Sequence, residues 1–192
     1  MTEEKNIRAF LAIEPSEKVL AAVGRLQEKL KREISGSVSW TRPHGNHLTL
    51  KFFGNIDLAD VERICTAVKK QATALPLLLK VEKIGVFPDL RRPRVLWTGI
   101  TGDIEKLTAL QKNLDTEFAA IGFPAEERPF RAHLTLGRIK DARTAAGIEA
   151  ATKKHADFSA GEFRAEELIL FQSKLTPQGA IYTRLTTIPL IG

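Results

Sequence analysis

Four histidines occur among 192 residues, and two of them open the same tetrapeptide: His47 in RPHGNHLTLKFFG and His133 in RPFRAHLTLGR. Each is followed two places later by a threonine, Thr49 and Thr135. Side chains alternate along a strand, so each His–Thr pair emerges from one face while the intervening leucines anchor the other. Two imidazoles near neutral pKa suit in-line phosphoryl chemistry. One, neutral, takes a proton from an attacking hydroxyl or water; the other, protonated, hands one to the departing oxygen. The threonine hydroxyls can donate to non-bridging phosphate oxygens, and nothing in the scheme requires a metal. The bland reading, a strand-forming threonine beside a surface histidine, fits one such pair well and a matched pair poorly.

Around the second motif, Arg131 lies two positions before His133 on the same nominal face, and Arg138 lies five beyond, its direction depending on Gly137. Either guanidinium could clamp two phosphate oxygens, or serve only solubility. By alternation Lys51 shares a face with His47 and Thr49, and Phe52 joins the leucines. His44, His47 and His133 offer three ring nitrogens, but HExxH, CxxC and a neighbouring carboxylate are lacking, so no metal is expected. Nor is there a Gly-rich phosphate loop for a triphosphate or dinucleotide.

The elements that must hold these residues follow from periodicity. A strand is expected at Asn6–Ile13, with Phe10 opposite the core set Ile7, Ala9, Leu11 and Ile13. A helix follows Ser16; a second runs from Leu58 to Leu75 behind Asp57; a third starts at a capping Asp103 and stops at Gly122. A fourth, alanine-rich, is placed at Ala142–His155, with His155 solvated at its end. Further strands are read at LLLKVEKIGVF, RVLWTGI, ELILFQSKL and AIYTRLTTIPL, the last two joined as a hairpin by TPQG. The order approximately repeats at the half-chain, as an internal duplication would make it, and no linker separates two independent domains. The net charge of +6 favours an anionic partner or mere solubility. The lone Cys65 reads as a buried small residue. The start carries no secretory signal and no run is long enough to cross a bilayer, so a cytoplasmic protein is expected.

The chain resembles the two-histidine phosphoesterase superfamily, and within it the bacterial and archaeal RNA 2′,3′-cyclic phosphodiesterases, historically called 2′-5′ RNA ligases. The likeness rests on RAFLAI, HLTLKFFG, GVFP followed by PRVLWTGI, FRAHLTLGR and SKLTPQGAIYTRL, spread over nearly the whole length. It implies an α+β fold of two pseudo-symmetric lobes, 1–192 as one unit, with antiparallel sheets facing a central cleft and helices outside. It implies hydrolysis of RNA 2′,3′-cyclic phosphate ends to 2′-phosphates without cofactor, with reversible 2′-5′ ligation as a related activity. Expected partners are RNA ends, tRNA fragments among them, or small cyclic-phosphate nucleotides, met by a monomer away from membranes. The catalytic residues would be His47 and His133, with Thr49, Thr135, Arg131 and Arg138 on phosphate and Phe10, Tyr182 and Lys51 on the rest of the substrate. Ala132 stands where relatives often carry proline, which touches only how rigidly His133 is held.

His47 is expected to be the acid and His133 the base, because Arg131 and Arg138 flank His133 and disfavour its protonated form. Two alternatives stay open at this point: a basic module that grips phosphate ends without chemistry, and an esterase for small cyclic nucleotides.

Overall fold

The computed structural model describes residues 6–73, 76–177 and 179–191. Among these residues nine strands and four α-helices follow one another: β1 (Asn6–Ile13), α1 (Glu17–Glu33), β2 (Val38–Trp40), β3 (Leu48–Asp57), α2 (Leu58–Gln71), β4 (Leu77–Phe87), β5 (Val95–Gly102), α3 (Ile104–Ala120), β6 (His133–Ile139), α4 (Ile148–Lys154), β7 (Ser159–Ala165), β8 (Glu167–Thr176) and β9 (Gly179–Pro189), with a 3-10 turn at Pro43–Gly45. The strands form two antiparallel sheets, ordered β3-β1-β8-β9 and β2-β6-β5-β4-β7. The architecture is thus two-lobed α+β.

Apart from β2 at one edge, the sheets correspond strand for strand. Each has its HLTL strand beside the first strand of its own half-chain, β3 beside β1 and β6 beside β5. The next place inward is filled by exchange: β8, from the second half, joins the first sheet, and β4, from the first half, joins the second. One main core runs through both lobes. It collects Ile7, Leu11 and Ile13 of β1, Val23 and Leu30 of α1, Ile64 and Val68 of α2, Leu107 and Leu114 of α3, and Leu134 and Leu136 of β6. Cys65 is buried there as expected.

Phe10 and Ala12 lie on the opposite face of β1, in a second, small cluster with Ile169, Phe171 and Tyr182. Both faces of β1 are therefore covered. One face is core and the other is the wall of the cleft.

Several local expectations change. The two short strands β2 and β7 carry little periodic signal, three residues in one and Gly161 within the other. The fourth helix begins at Ile148, six residues later than its sequence suggests. Gly147 precedes it with φ of 86°, where a side chain would strike the Glu33 carbonyl. Asp103 stands at the N-cap of α3 as expected, but its carboxylate makes no cap bond; it accepts the Leu78 N–H at 2.9 Å and so ties the helix start to β4. His155 is half-buried on Glu33 at 3.0 Å instead of solvated. Leu75, placed inward on α2 by its spacing, lies outside the described residues.

Candidate active site

The two HLTL strands β3 and β6 approach each other across the lobes. Pairing with β1 shows what happens after Thr49: Leu48 faces Ile13, Thr49 faces Ala12, Lys51 faces Leu11 and Phe52 faces Phe10. Leu50 is the extra residue of a bulge, so Leu50 and Lys51 both turn inward and Phe52 comes round to the cleft face. Lys51 is consequently only 3 % exposed, bonded to Asp115 of α3 at 2.9 Å and to the Pro124 carbonyl at 2.6 Å. Strict alternation had aimed it at substrate; the bulge removes it from the site and makes it an anchor.

The second motif does the same at the same offset. His133 faces Gly99, Thr135 faces Trp97, Gly137 faces Leu96 and Arg138 faces Val95, with Leu136 as the extra residue. Arg138, which alternation would send to the opposite face from His133, is thereby returned to its side. Phe52 and Arg138 thus hold equivalent places, each three residues past a motif threonine. Two bulges at matched positions are hard to explain except by duplication.

Each bulge carbonyl meets a glutamine from a helix of the other half. The Gln27 amide of α1 donates to Leu136 at 2.7 Å and to Thr41 at 2.9 Å. Gln111 of α3 donates to Leu50 at 3.4 Å and to Asp115 at 2.7 Å. A bulge leaves ladder groups unpaired, and buried carbonyls need donors. Sequence reading missed both glutamines; the only available sign was a polar residue inside each helix's apolar stripe.

Both imidazoles are oriented alike. His47 Nδ1 lies 2.8 Å from the Gly45 carbonyl, and His133 Nδ1 lies 2.7 Å from that of Arg131. A carbonyl only accepts, so each Nδ1 carries the proton and donates it, leaving Nε2 for proton transfer. His47 stacks on Phe10 at 4.5 Å, with Tyr182 edge-on at 5.0 Å. His133 meets the edge of Phe87 at 5.1 Å, and Phe87 in turn stacks on Trp97 and lies 5.5 Å from the Arg131 guanidinium.

Burial pushes His47 down to about 4, against a partial lift from the Gly45 carbonyl. Burial also lowers His133, with Arg138 adding to the fall. Charge weighs on His133 and not on His47, as expected, though through Arg138 and not Arg131; burial nevertheless leads at both, and the larger shift is at His47. Arg138 acts electrostatically on Tyr182 as well as on His133, so it stands between the two lobes' aromatic and histidine groups.

A cavity of about 1000 Å³ opens beside His47, walled by Phe10, Phe52, Phe171, Tyr182, Arg8 and Arg138 among others. Phe10, expected to pack against a base, is 1 % exposed and reaches the cleft chiefly as the platform beneath His47. Tyr182, half-buried, stands at the wall itself. Arg131 keeps its side chain over Phe87. Among the described residues, no three His, Cys, Asp or Glu side chains gather as a metal-binding group.

A family model described as LigT like Phosphoesterase matches the chain at residues 13–97 and again at 100–182, one match for each half. The RNA 2′,3′-cyclic phosphodiesterase of Methanothermobacter thermautotrophicus is 35% identical over 92% of this chain and 95% of its own. That of Aquifex aeolicus is 33% identical over 93% and 95%. Among solved structures, TT0787 of Thermus thermophilus superposes with a TM-score of 0.81 at 26% identity, covering 97% of this chain and 99% of that one. Escherichia coli LigT complexed with 3′-AMP superposes at 0.77 with 22% identity, over 97% and 99%, a likeness of fold. Duplicated motifs, duplicated bulges and full-length similarity converge on one assignment: the chain belongs to the two-histidine phosphoesterases, in the LigT-like family of RNA 2′,3′-cyclic phosphodiesterases.

Proposed function

We propose that the protein opens the 2′,3′-cyclic phosphate at RNA ends to a 2′-phosphate, without a metal ion, using His47 and His133 as acid and base. The observation that supports it best is the pair of imidazoles, each with Nδ1 tied to the carbonyl two residues before it and Nε2 left for the reaction. Neutral His133 takes a proton from water through Nε2; the water oxygen bonds to phosphorus as the bond to the 3′-oxygen breaks, and protonated His47 gives that oxygen its proton. Burial, with Arg138 adding to it, favours neutral His133 in the free protein, and Arg138 becomes a phosphate ligand when substrate arrives. Thr49 and Thr135 donate to the non-bridging oxygens.

His47 is neutral in the empty site because burial disfavours its cation. The negative phosphate supplies the opposite charge, so substrate binding and His47 protonation are coupled. Buried at low pKa, the His47 cation is a strong donor to an alkoxide leaving group. With a 5′-hydroxyl in place of water as the nucleophile, the same site would break the same bond to the 3′-oxygen and join 2′-5′ ends. The natural substrates are RNA ends with a cyclic phosphate, tRNA fragments among them.

Chromatography of the products from a cyclic-phosphate oligoribonucleotide, in excess chelator, tests the reading. A 2′-phosphate at undiminished rate is expected. A 3′-phosphate would overturn the regiochemistry; loss of turnover restored by zinc would overturn metal independence. Retained binding with equal turnover in wild type and the H47A/H133A double variant would make the protein a binding module.

A further inference from the structure

The cyclic phosphate needs only the space between the two histidines, yet the cavity beside His47 is about 1000 Å³, at the top of the roughly 300–1,000 Å³ range of small-ligand pockets. It runs from His47 along β8 and β9 to the end of their hairpin. Its walls combine two chemistries. Arg8, Arg42 and Arg138 supply cations, while the one carboxylate among the lining residues, Glu14, is engaged by Arg184, which Glu167 also holds at 3.3 Å. Between these cations stand two large apolar side chains left in water, Phe52 at 47 % and Leu175 at 67 % exposed, with the half-buried Tyr182 ring on the same wall. Single exposed hydrophobic residues are ordinary, but two of them beside a tyrosine ring in one cationic cavity call for an occupant.

Cations spaced among exposed apolar and aromatic surfaces suit a chain that carries a phosphate and a flat ring at every step. In a duplex those rings are stacked on one another and their faces are hidden. Only unpaired bases can be splayed onto a protein surface. We propose that this cavity is a subsite for the unpaired nucleotides on the 5′ side of the cyclic phosphate, so that the protein prefers single-stranded RNA ends to cyclic mononucleotides and to blunt duplex ends. The inference rests on the cyclic-phosphate reading and adds to it which form of RNA the site takes. The terminal phosphate sits at His47 and His133, and the preceding residues lie along β8 and β9 with their bases against Phe52, Tyr182 and Leu175.

The test is kcat/KM on a ladder of substrates ending in a 2′,3′-cyclic phosphate: a mononucleotide, a dinucleotide, a trinucleotide, a single-stranded hexamer, and the hexamer as a blunt duplex. A rise of about tenfold for each of the first one or two added nucleotides is expected, then a plateau, in line with the usual worth of one stacked base. The duplex should fall back toward the mononucleotide. The double variant Phe52→Ser/Leu175→Ser should reduce the hexamer-to-mononucleotide ratio about tenfold, and Arg8→Gln should flatten the hexamer's log–log salt dependence by about 0.7. Equal kcat/KM across the ladder, or a duplex as good as the single strand, would overturn the subsite while leaving the cyclic-phosphate reading intact. If none of the substrates is hydrolysed, that reading falls, and the subsite is judged by binding alone: a hexamer no tighter than a mononucleotide in anisotropy titrations would overturn it too.

Discussion

Phe52 and Arg138 occupy the same place in two copies of one design, and the lobes diverge from there. In the first lobe the equivalent of the cation is an aromatic ring, and the histidine lies within rings: Phe10 below, Phe171 behind, Tyr182 at the edge. In the second lobe the space is filled by Trp97, whose indole lies so close over Gly85 that a Cβ there would meet it at 2.3 Å, and His133 faces a guanidinium. The residue just before differs in the same sense. Lys51 anchors the edge strand β3 to α3, whereas Gly137 leaves room for β2, with Val38 and Trp40 at 3.0 and 3.2 Å from where its Cβ would stand. A duplicated scaffold thus tunes one imidazole mainly by burial and the other by burial together with charge.

The sharpest way to break this comparison is to remove each histidine. His47→Ala and His133→Ala should each lower kcat by roughly 10²–10⁴-fold on a cyclic-phosphate oligonucleotide. On a phosphodiester with an activated aryl leaving group the acid is dispensable, so His47→Ala should recover much of its rate and His133→Ala should not. The opposite rescue would exchange their roles.

Lys51 separates anchoring from substrate contact. Lys51→Ala strands a partly buried carboxylate and should cost about 3 kcal/mol or more in denaturant unfolding. Lys51→Met/Asp115→Leu should restore most of that stability. A Lys51→Ala protein of full stability with raised KM would instead put the lysine on the substrate.

Arg138→Phe makes the second lobe imitate the first. The His133 pKa should rise as the cation leaves, while His47, held down by burial, should stay; NMR titration of the ring protons follows both. Movement of His47 alone would contradict the assignment of causes.

The lowered pKa of His47 also gives stability a sign. Between pH 6.5 and about 4 the unfolded imidazole binds a proton that the folded one refuses, so stability falls as pH drops through that window. His47→Phe should flatten the slope in thermal unfolding from pH 7 to 4. An unchanged slope would mean that the folded histidine titrates normally. By the same reasoning kcat/KM should peak on the acid side of 6.5, between the depressed values of the two histidines.

The smallest effects test the crossed supports. Gln27→Met should cost about 1 kcal/mol and disturb His133 in the NMR titration, and Gln111→Met, with its longer bond to Leu50, should disturb His47 less. Each glutamine bonds the carbonyl three residues after the histidine of the opposite half-chain. A variant that lowers stability while moving neither resonance would show that the crossed bonds merely fill the interior.

The pairing of His47 with Thr49 and of His133 with Thr135, the face of Phe10 opposite the core, the inward leucines and the repeat at the half-chain were all legible in the residues. So was the hairpin of β8 and β9. The path of the strands beyond each threonine was not legible: counting by twos sends Lys51 to the cleft and Arg138 away from it, and both directions are reversed in the fold.

The difference has a physical cause. Alternation and apolar stripes are properties of neighbouring residues, so the sequence by itself determined which side chains share a face, which leucines anchor them and what chemistry two histidines could share. A bulge needs donors for the ladder groups it leaves unpaired, and here they come from the Thr41 N–H at 3.0 Å together with Gln27, 109 residues from Leu136, and from Gln111, 61 residues from Leu50. Only the tertiary structure could decide where those helices lie, and with them that Lys51 is buried, that Arg138 faces His133, and that burial more than charge depresses His47.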